Sequence, residues 1–146
     1  MQDSFSSARQ VSEHLLKRTE RAFLTDDVGE FKECLVLPYS IETFDGRRVL
    51  ETPSELQELF YAIRTHHRKT GVTAIVRHVV EAAFKDPETI EATFETRLLN
   101  GTVLTQKPYP VFSVLKCIEG EWRARSMTFA IDDSPDHNAA LMHNET

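Results

Sequence analysis

The stretch IVRHVVEAAF, residues 75–84, carries the side chain in this chain best suited to proton chemistry. Taken at a spacing of two from Ala74, one face of it is Ala74, Val76, His78, Val80, Ala82 and Phe84, an imidazole among apolar groups. That alternation predicts a half-buried strand with this face toward the core. A histidine so placed has two readings. It is a core residue with its ring nitrogens bonded to backbone or a neighbour, since an unpaired one costs about 1–3 kcal/mol. Or it faces a cavity, where apolar surroundings favour the neutral ring and make it available as a general base. Such a base is commonly matched to an orienting or complementary acid. Glu20 is a candidate, on the edge of the first helix's apolar stripe, with a solvated flank residue as the simpler reading. Tyr39 and Tyr109 could hydrogen-bond a substrate oxygen or stand as rim aromatics.

Other chemistries find less support. His66 and His67 are adjacent on a predicted helix, so their side chains diverge by about 100° and do not readily share a metal. Cys34 and Cys117 have no metal-type spacing and read as reduced thiols of a cytoplasmic protein. The glycines are scattered, with no phosphate-binding loop, and the serines lack a nucleophile-elbow context. Neither a metal nor a cofactor is expected.

The elements that must position these residues follow from local signals. Val11, Leu15, Leu16, Thr19, Ala22 and Phe23 make a helical stripe over about residues 7–25. TDDVGEF opens a shorter helix, with Asp27 as cap and Glu30 returning the bond, and Pro38 ending it. YSIETFDGRRVLE reads as a hairpin about Asp45-Gly46. In TPSE, Thr52, Pro53 and Glu55 form a capping box for a helix with Leu56, Leu59, Phe60, Ile63 and His67 on one side, stopping before Gly71. From Val72 the period becomes two. Strands are expected at 72–85, 88–99, 102–118 and 121–131, joined tightly into an antiparallel meander. On the second, Ile90, Ala92, Phe94, Thr96 and Leu98 look inward, while Glu95 and Arg97 look outward as a surface pair.

The chain has 146 residues and a net charge of −6, which suits one domain, here 1–131, with a loose polar tail at 132–146. Its scattered basic residues argue against nucleic acid and anionic membrane as partners. No apolar run approaches the roughly 18 residues of a membrane span. Three striped helices need one sheet face to cover, so the class is α+β.

In that element order over about residues 7–131, and in TDDVGEF, SIETFDG and RHVVEAAF…EATFETRLL, the chain resembles the nuclear transport factor 2-like superfamily, especially its SnoaL-like branch. The resemblance implies a cone-shaped, cystatin-like roll, a curved antiparallel sheet wrapped on three helices around a pocket. It also implies a homodimer through the outer sheet face. Dehydratases and cyclases of the superfamily move protons with an inward-facing strand histidine, here His78. Where ketosteroid isomerases carry an aspartate base the nearest match is Thr43, and Glu20 stands about where their oxyanion-hole tyrosine would. Where SnoaL-type cyclases use a late-strand aspartate, RARSMTFA offers Ser126 and Thr128 on the face with Ala124. The function expected is binding of a small apolar or oxygenated molecule by Tyr39, Ile41, Thr43, Phe60, Phe94 and Tyr109. Cofactor-free dehydration, isomerisation or cyclisation would be the chemistry. The alternative is a non-catalytic carrier, or a dimeric assembly module with a filled cavity.

Overall fold

The computed structural model describes residues 7–142. Helix α1, Ala8–Thr25, starts where the Ser7 hydroxyl accepts the Gln10 N–H, and it buries the expected stripe. Helix α2, Val28–Glu33, is capped by Asp27. Glu30 does not return the bond; its carboxylate instead takes the Arg18 guanidinium at 2.7 and 3.0 Å. A two-bond, charge-assisted pair is stronger than a return bond to one backbone amide. The helix ends well before Pro38, which lies within strand β1, Leu35–Thr43. Strand β2, Gly46–Leu50, completes the hairpin. Helix α3, Pro53–Thr70, has the full capping box at Thr52 and Glu55. It closes on Gly71 at φ 74°, a left-handed conformation that glycine adopts without penalty.

Strands β3, Ala74–Asp86, and β4, Thr89–Asn100, follow. The single strand expected over 102–118 is two pieces, β5 at Val103–Leu104 and β6 at Tyr109–Ile118, separated by residues 105–108. Strand β7 spans Glu121–Phe129. The sheet order is β2-β1-β7-β6-β4-β3, with β5 beside β4. The expected meander is present, but the sheet is mixed rather than wholly antiparallel, because β1 joins β7 in parallel. These two strands are far apart in the chain, so no tight turn fixes their direction. The sheet is curved and unclosed, and α1 lies against β3, β4 and β7.

The supposed loose tail is corrected over much of its length. Residues Pro135–Met142 form helix α4, packed on α3 and β1, with His137 and Leu141 buried. Asn138 donates to the Ile131 carbonyl at 3.0 Å, and Arg48 donates to the Leu141 carbonyl at 3.1 Å. Long-range bonds and a buried leucine stabilise a segment with no legible helical period.

The decisive irregularity lies in β3. Val79 pairs with Phe94, but the next pair is Glu81 with Thr93, leaving Val80 as an extra residue. Such a bulge reverses which face each side chain takes. After it, Ala82 and Phe84 pair with the inward Ala92 and Ile90, as the alternation predicts. Before it, the inward residues are Ile75, Arg77 and Val79, while Val76 and His78 point out. Arg9 holds the bulge from α1, donating to the Val79 carbonyl at 2.7 Å and the Val80 carbonyl at 3.2 Å. A further bulge, at Arg125 of β7 opposite Val114 and Leu115, turns Met127 and Phe129 inward, so Ser126 and Thr128 do not continue the face of Ala124.

Arg9→Met should therefore destabilise the fold by about 1 kcal/mol, the usual scale for half-exposed hydrogen bonds. Urea unfolding measures it, and hydrogen exchange at residues 78–81 should quicken more than elsewhere in β3.

Candidate functional site

Between the sheet and the helices lies a cavity of about 70 Å³, room for more than one water. Helices α1 and α2 contribute Thr19, Phe23 and Phe31, and α3 contributes Leu59, Ile63 and His67. The sheet supplies Tyr39 and Ile41 from β1, Arg77 from β3, Phe94 and Thr96 from β4, and Tyr109 from β6. Helix α4 adds His137 and Leu141, so it forms part of the cavity wall. The wall is largely apolar with a few converging polar groups.

Arg77 is the charged centre. Its side chain is 9% exposed. Nη2 donates to the Leu16 carbonyl at 2.6 Å and to the Thr19 hydroxyl at 2.5 Å, binding β3 to α1. Nε faces the Glu20 carboxylate at 3.5 Å, and the guanidinium stands 5.7 Å from the centre of the Phe94 ring. Desolvation lowers its pKa, opposed by Glu20; a guanidinium still keeps its proton.

Three buried histidines surround the α3–α4 side. His66 and His137 stack at 4.6 Å between ring centres, and Tyr109 meets His137 edge-on at 5.6 Å. His137 Nδ1 lies 3.2 Å from the Gln106 side-chain amide oxygen, to which the tautomer protonated at Nδ1 would donate. Burial, reinforced by the His66 charge, pushes His67 down to about 4 and His137 down to about 3. Burial also lowers His66, against the pull of Asp136. Burial raises the Tyr39 and Tyr109 phenols, which stay protonated donors. The Thr96 hydroxyl approaches Tyr109 without a hydrogen bond of good geometry, and His66 Nε2 and Gln106 Nε2 are likewise buried without a partner.

Of the residues expected at the pocket, Tyr39, Ile41, Phe94 and Tyr109 line the cavity. Phe60 does not. It stacks on Phe23 at 5.3 Å and packs on Phe31, behind the wall. Thr43 is tied into the hairpin, accepting the Asp45 N–H at 3.0 Å. Glu20 lies on an outer groove between α1 and β3 and reaches only the far side of Arg77. His78 is the main correction. Its side chain is 56% exposed on the outer face, 4.0 Å from Glu95, which also pairs with Arg97. The bulge at Val80 put it there and put Arg77 in its place.

Arg77, His137 and Gln106 were not foreseen. Strict alternation about His78 places Arg77 on the opposite, outer face, and no glycine or proline marks the bulge. His67 did carry a signal, since it follows Ile63 by four residues on the inner face of α3. Among the described residues, no group of three or more His, Cys, Asp or Glu is placed to hold a metal, and no helix is long and apolar enough to cross a membrane.

The buried imidazoles make stability depend on pH in a definite direction. A histidine whose folded pKa lies below its unfolded value binds its proton first in the unfolded chain, so stability falls as pH falls. The loss should begin near the ordinary pKa of about 6.5 and continue to about 4, at up to about 1.4 kcal/mol per pH unit for each ring. Urea titrations at about pH 7 and about pH 5 measure it, and His137→Phe should remove one share of the difference. His78→Ala should change stability by less than about 0.5 kcal/mol.

No protein-family model and no curated protein matches the chain. Solved structures do resemble it. An NTF2-like protein with a cystatin-like fold from Novosphingobium aromaticivorans is 15% identical over 92% of this chain and 88% of that one, with a TM-score of 0.65. A ketosteroid isomerase-like protein from Erwinia carotovora atroseptica is 15% identical over 90% and 100%, with a TM-score of 0.61. An NTF2-like protein of unknown function from Shewanella oneidensis is 12% identical over 83% and 97%, with a TM-score of 0.64. At such identity the likeness is one of fold. The chain has the cystatin-like fold of the NTF2-like proteins.

Proposed function

We propose that the protein binds a small, mostly apolar molecule bearing an oxygen function in the cavity beneath the sheet. The observation that carries this reading is the convergence of Arg77, His67, Tyr39, Tyr109 and Thr96 on otherwise apolar walls, the arrangement typical of small-molecule sites. Binding is favoured over catalysis by the same wall. Among the described residues no carboxylate lines it, and imidazoles pushed down to about 4 and about 3 are weak bases near neutral pH. Carriage of a ligand is thus the primary reading, within the SnoaL-like branch that the sequence resembles.

Cofactor-free proton transfer, as in a dehydratase or isomerase, is the second reading. It is supported by the edge-on approach of the Tyr109 phenol to the His137 ring and by the fold shared with a ketosteroid isomerase-like protein. In that reading the work falls to His67 or His137, and His78 has no part in it. The outer sheet face, with Val76, Val80 and Phe112 half-exposed among Glu95, Arg97 and His78, is read as a contact between two copies. The unpaired Cys34 and Cys117 fit a reducing, cytoplasmic setting.

Saturation-transfer NMR with a panel of small ketones, alcohols, amides and acids tests the binding reading. Native protein should bind members of the panel, and Ile63→Phe, which fills the cavity, should lose them while still unfolding cooperatively. Absence of binding by every class to native protein overturns the proposal.

A further inference from the structure

The polar face of the cavity is electrically one-sided. Among the described residues, Arg77 is the only permanently charged side chain on its wall, and the nearest carboxylate, Glu20, stands outside on the groove. The pairing of Arg77 with Glu20 is loose at 3.5 Å, with the Glu20 side chain 23% exposed. A buried cation met this weakly is costly. The guanidinium also has donors to spare. It carries five N–H groups. The two on Nη2 go to the Leu16 carbonyl and the Thr19 hydroxyl, and the one on Nε faces Glu20. The two on Nη1 form the remaining edge of the group. Around this edge stand hydroxyl groups, each with an O–H to donate. Tyr39 and Tyr109 are both close enough to feel the Arg77 charge, and the buried Thr96 hydroxyl beside Tyr109 makes no hydrogen bond of good geometry.

We infer that the cavity takes a small monocarboxylate, its charge set against the unused edge of the Arg77 guanidinium and its oxygens met by the neighbouring hydroxyls. This rests on the binding reading above and narrows it to one class. A carboxylate supplies acceptors for these donors, and a negative charge inside the cavity for a guanidinium that Glu20 meets only loosely, from the outer groove. An amine would place a second cation beside Arg77. A dianion would bring a charge the wall does not match. A neutral ketone or amide offers an acceptor but leaves the charge unmet. The volume of about 70 Å³ is several times the roughly 10–15 Å³ that one water needs, so the occupant is a molecule of a few non-hydrogen atoms. Its carbon end would lie against Phe23, Phe31, Ile41 and Phe94, which line the same space.

The test compares acids with their own amides, which match in shape and differ in charge. Acetate, propionate and butyrate are titrated into native protein beside acetamide, propionamide and butyramide, with chloride holding ionic strength constant. Binding is followed by backbone amide shifts and by melting temperature. Each carboxylate should bind at least tenfold more tightly than its amide, with shifts centred on Thr96, Arg77 and Tyr109. Arg77→Met should erase the preference; should that variant fail to fold, the contrast in native protein decides alone. Equal affinity of acid and amide overturns the inference while leaving the cavity a binding site. Shifts confined to the outer face around His78 and Arg97 also overturn it. Binding by neither acids nor amides overturns it too, and the wider panel above then decides whether the binding reading falls as well.

Discussion

A guanidinium taken out of water costs several kcal/mol unless its charge and its donors are met. In this chain Arg77 meets part of that demand by fastening β3 to the Leu16 carbonyl and Thr19 hydroxyl of α1. The helix thereby crosses the sheet at the point where the inner face turns polar. The apolar walls then follow from ordinary burial. Phe23, Phe31 and Phe60 pack as a trio around the helical side, and the inward residues of β4 form the floor. The arrangement depends on Arg77 facing inward, and that depends on a bulge at Val80 gripped by Arg9.

This dependence explains which parts of the fold could be read from the amino-acid order. Helix α3 was legible to the residue at its start, because Thr52, Pro53 and Glu55 act locally and Gly71 ends it locally. The inner face of β4 was legible because that strand keeps its alternation from Ile90 to Leu98. In β3 the alternation holds only from Ala82 onward. Carried back through the bulge, it inverts, and one extra valine exchanged the places of His78 and Arg77. The bulge is held by a contact between residues about seventy positions apart, and such a contact leaves no local trace. Helix α4 was hidden for a similar reason, since Arg48 holds its Leu141 carbonyl from 93 positions away.

The candidate site was half legible. Ile41 and Phe94 sit on regularly paired stretches of strand, where parity assigns a face, whereas Tyr39 falls within the irregularity between Leu35 and Ser40 of β1. Gln106 and His137 sit in the break between β5 and β6 and in α4, where no period exists to read. These irregular pieces bring together the buried polar atoms that lack partners, including Gln106 Nε2, His66 Nε2 and Asn138 Oδ1. Unmet groups of this kind lower stability by about 1–3 kcal/mol each. A core selected for stability alone would have replaced them with hydrocarbon. Their concentration at one end of the cone marks that end as the part of the structure least committed to packing.

Helix α4 also has a kinetic consequence. It is eight residues long, short for a helix that must hold without support from its neighbours, and it contributes both His137 and Leu141 to the cavity wall. An occupant leaving past α4 would have to part that helix from α3 and β1. Where that parting is the slow step, occupants of different affinity would share one arrival rate below the diffusion limit and differ chiefly in how long they stay.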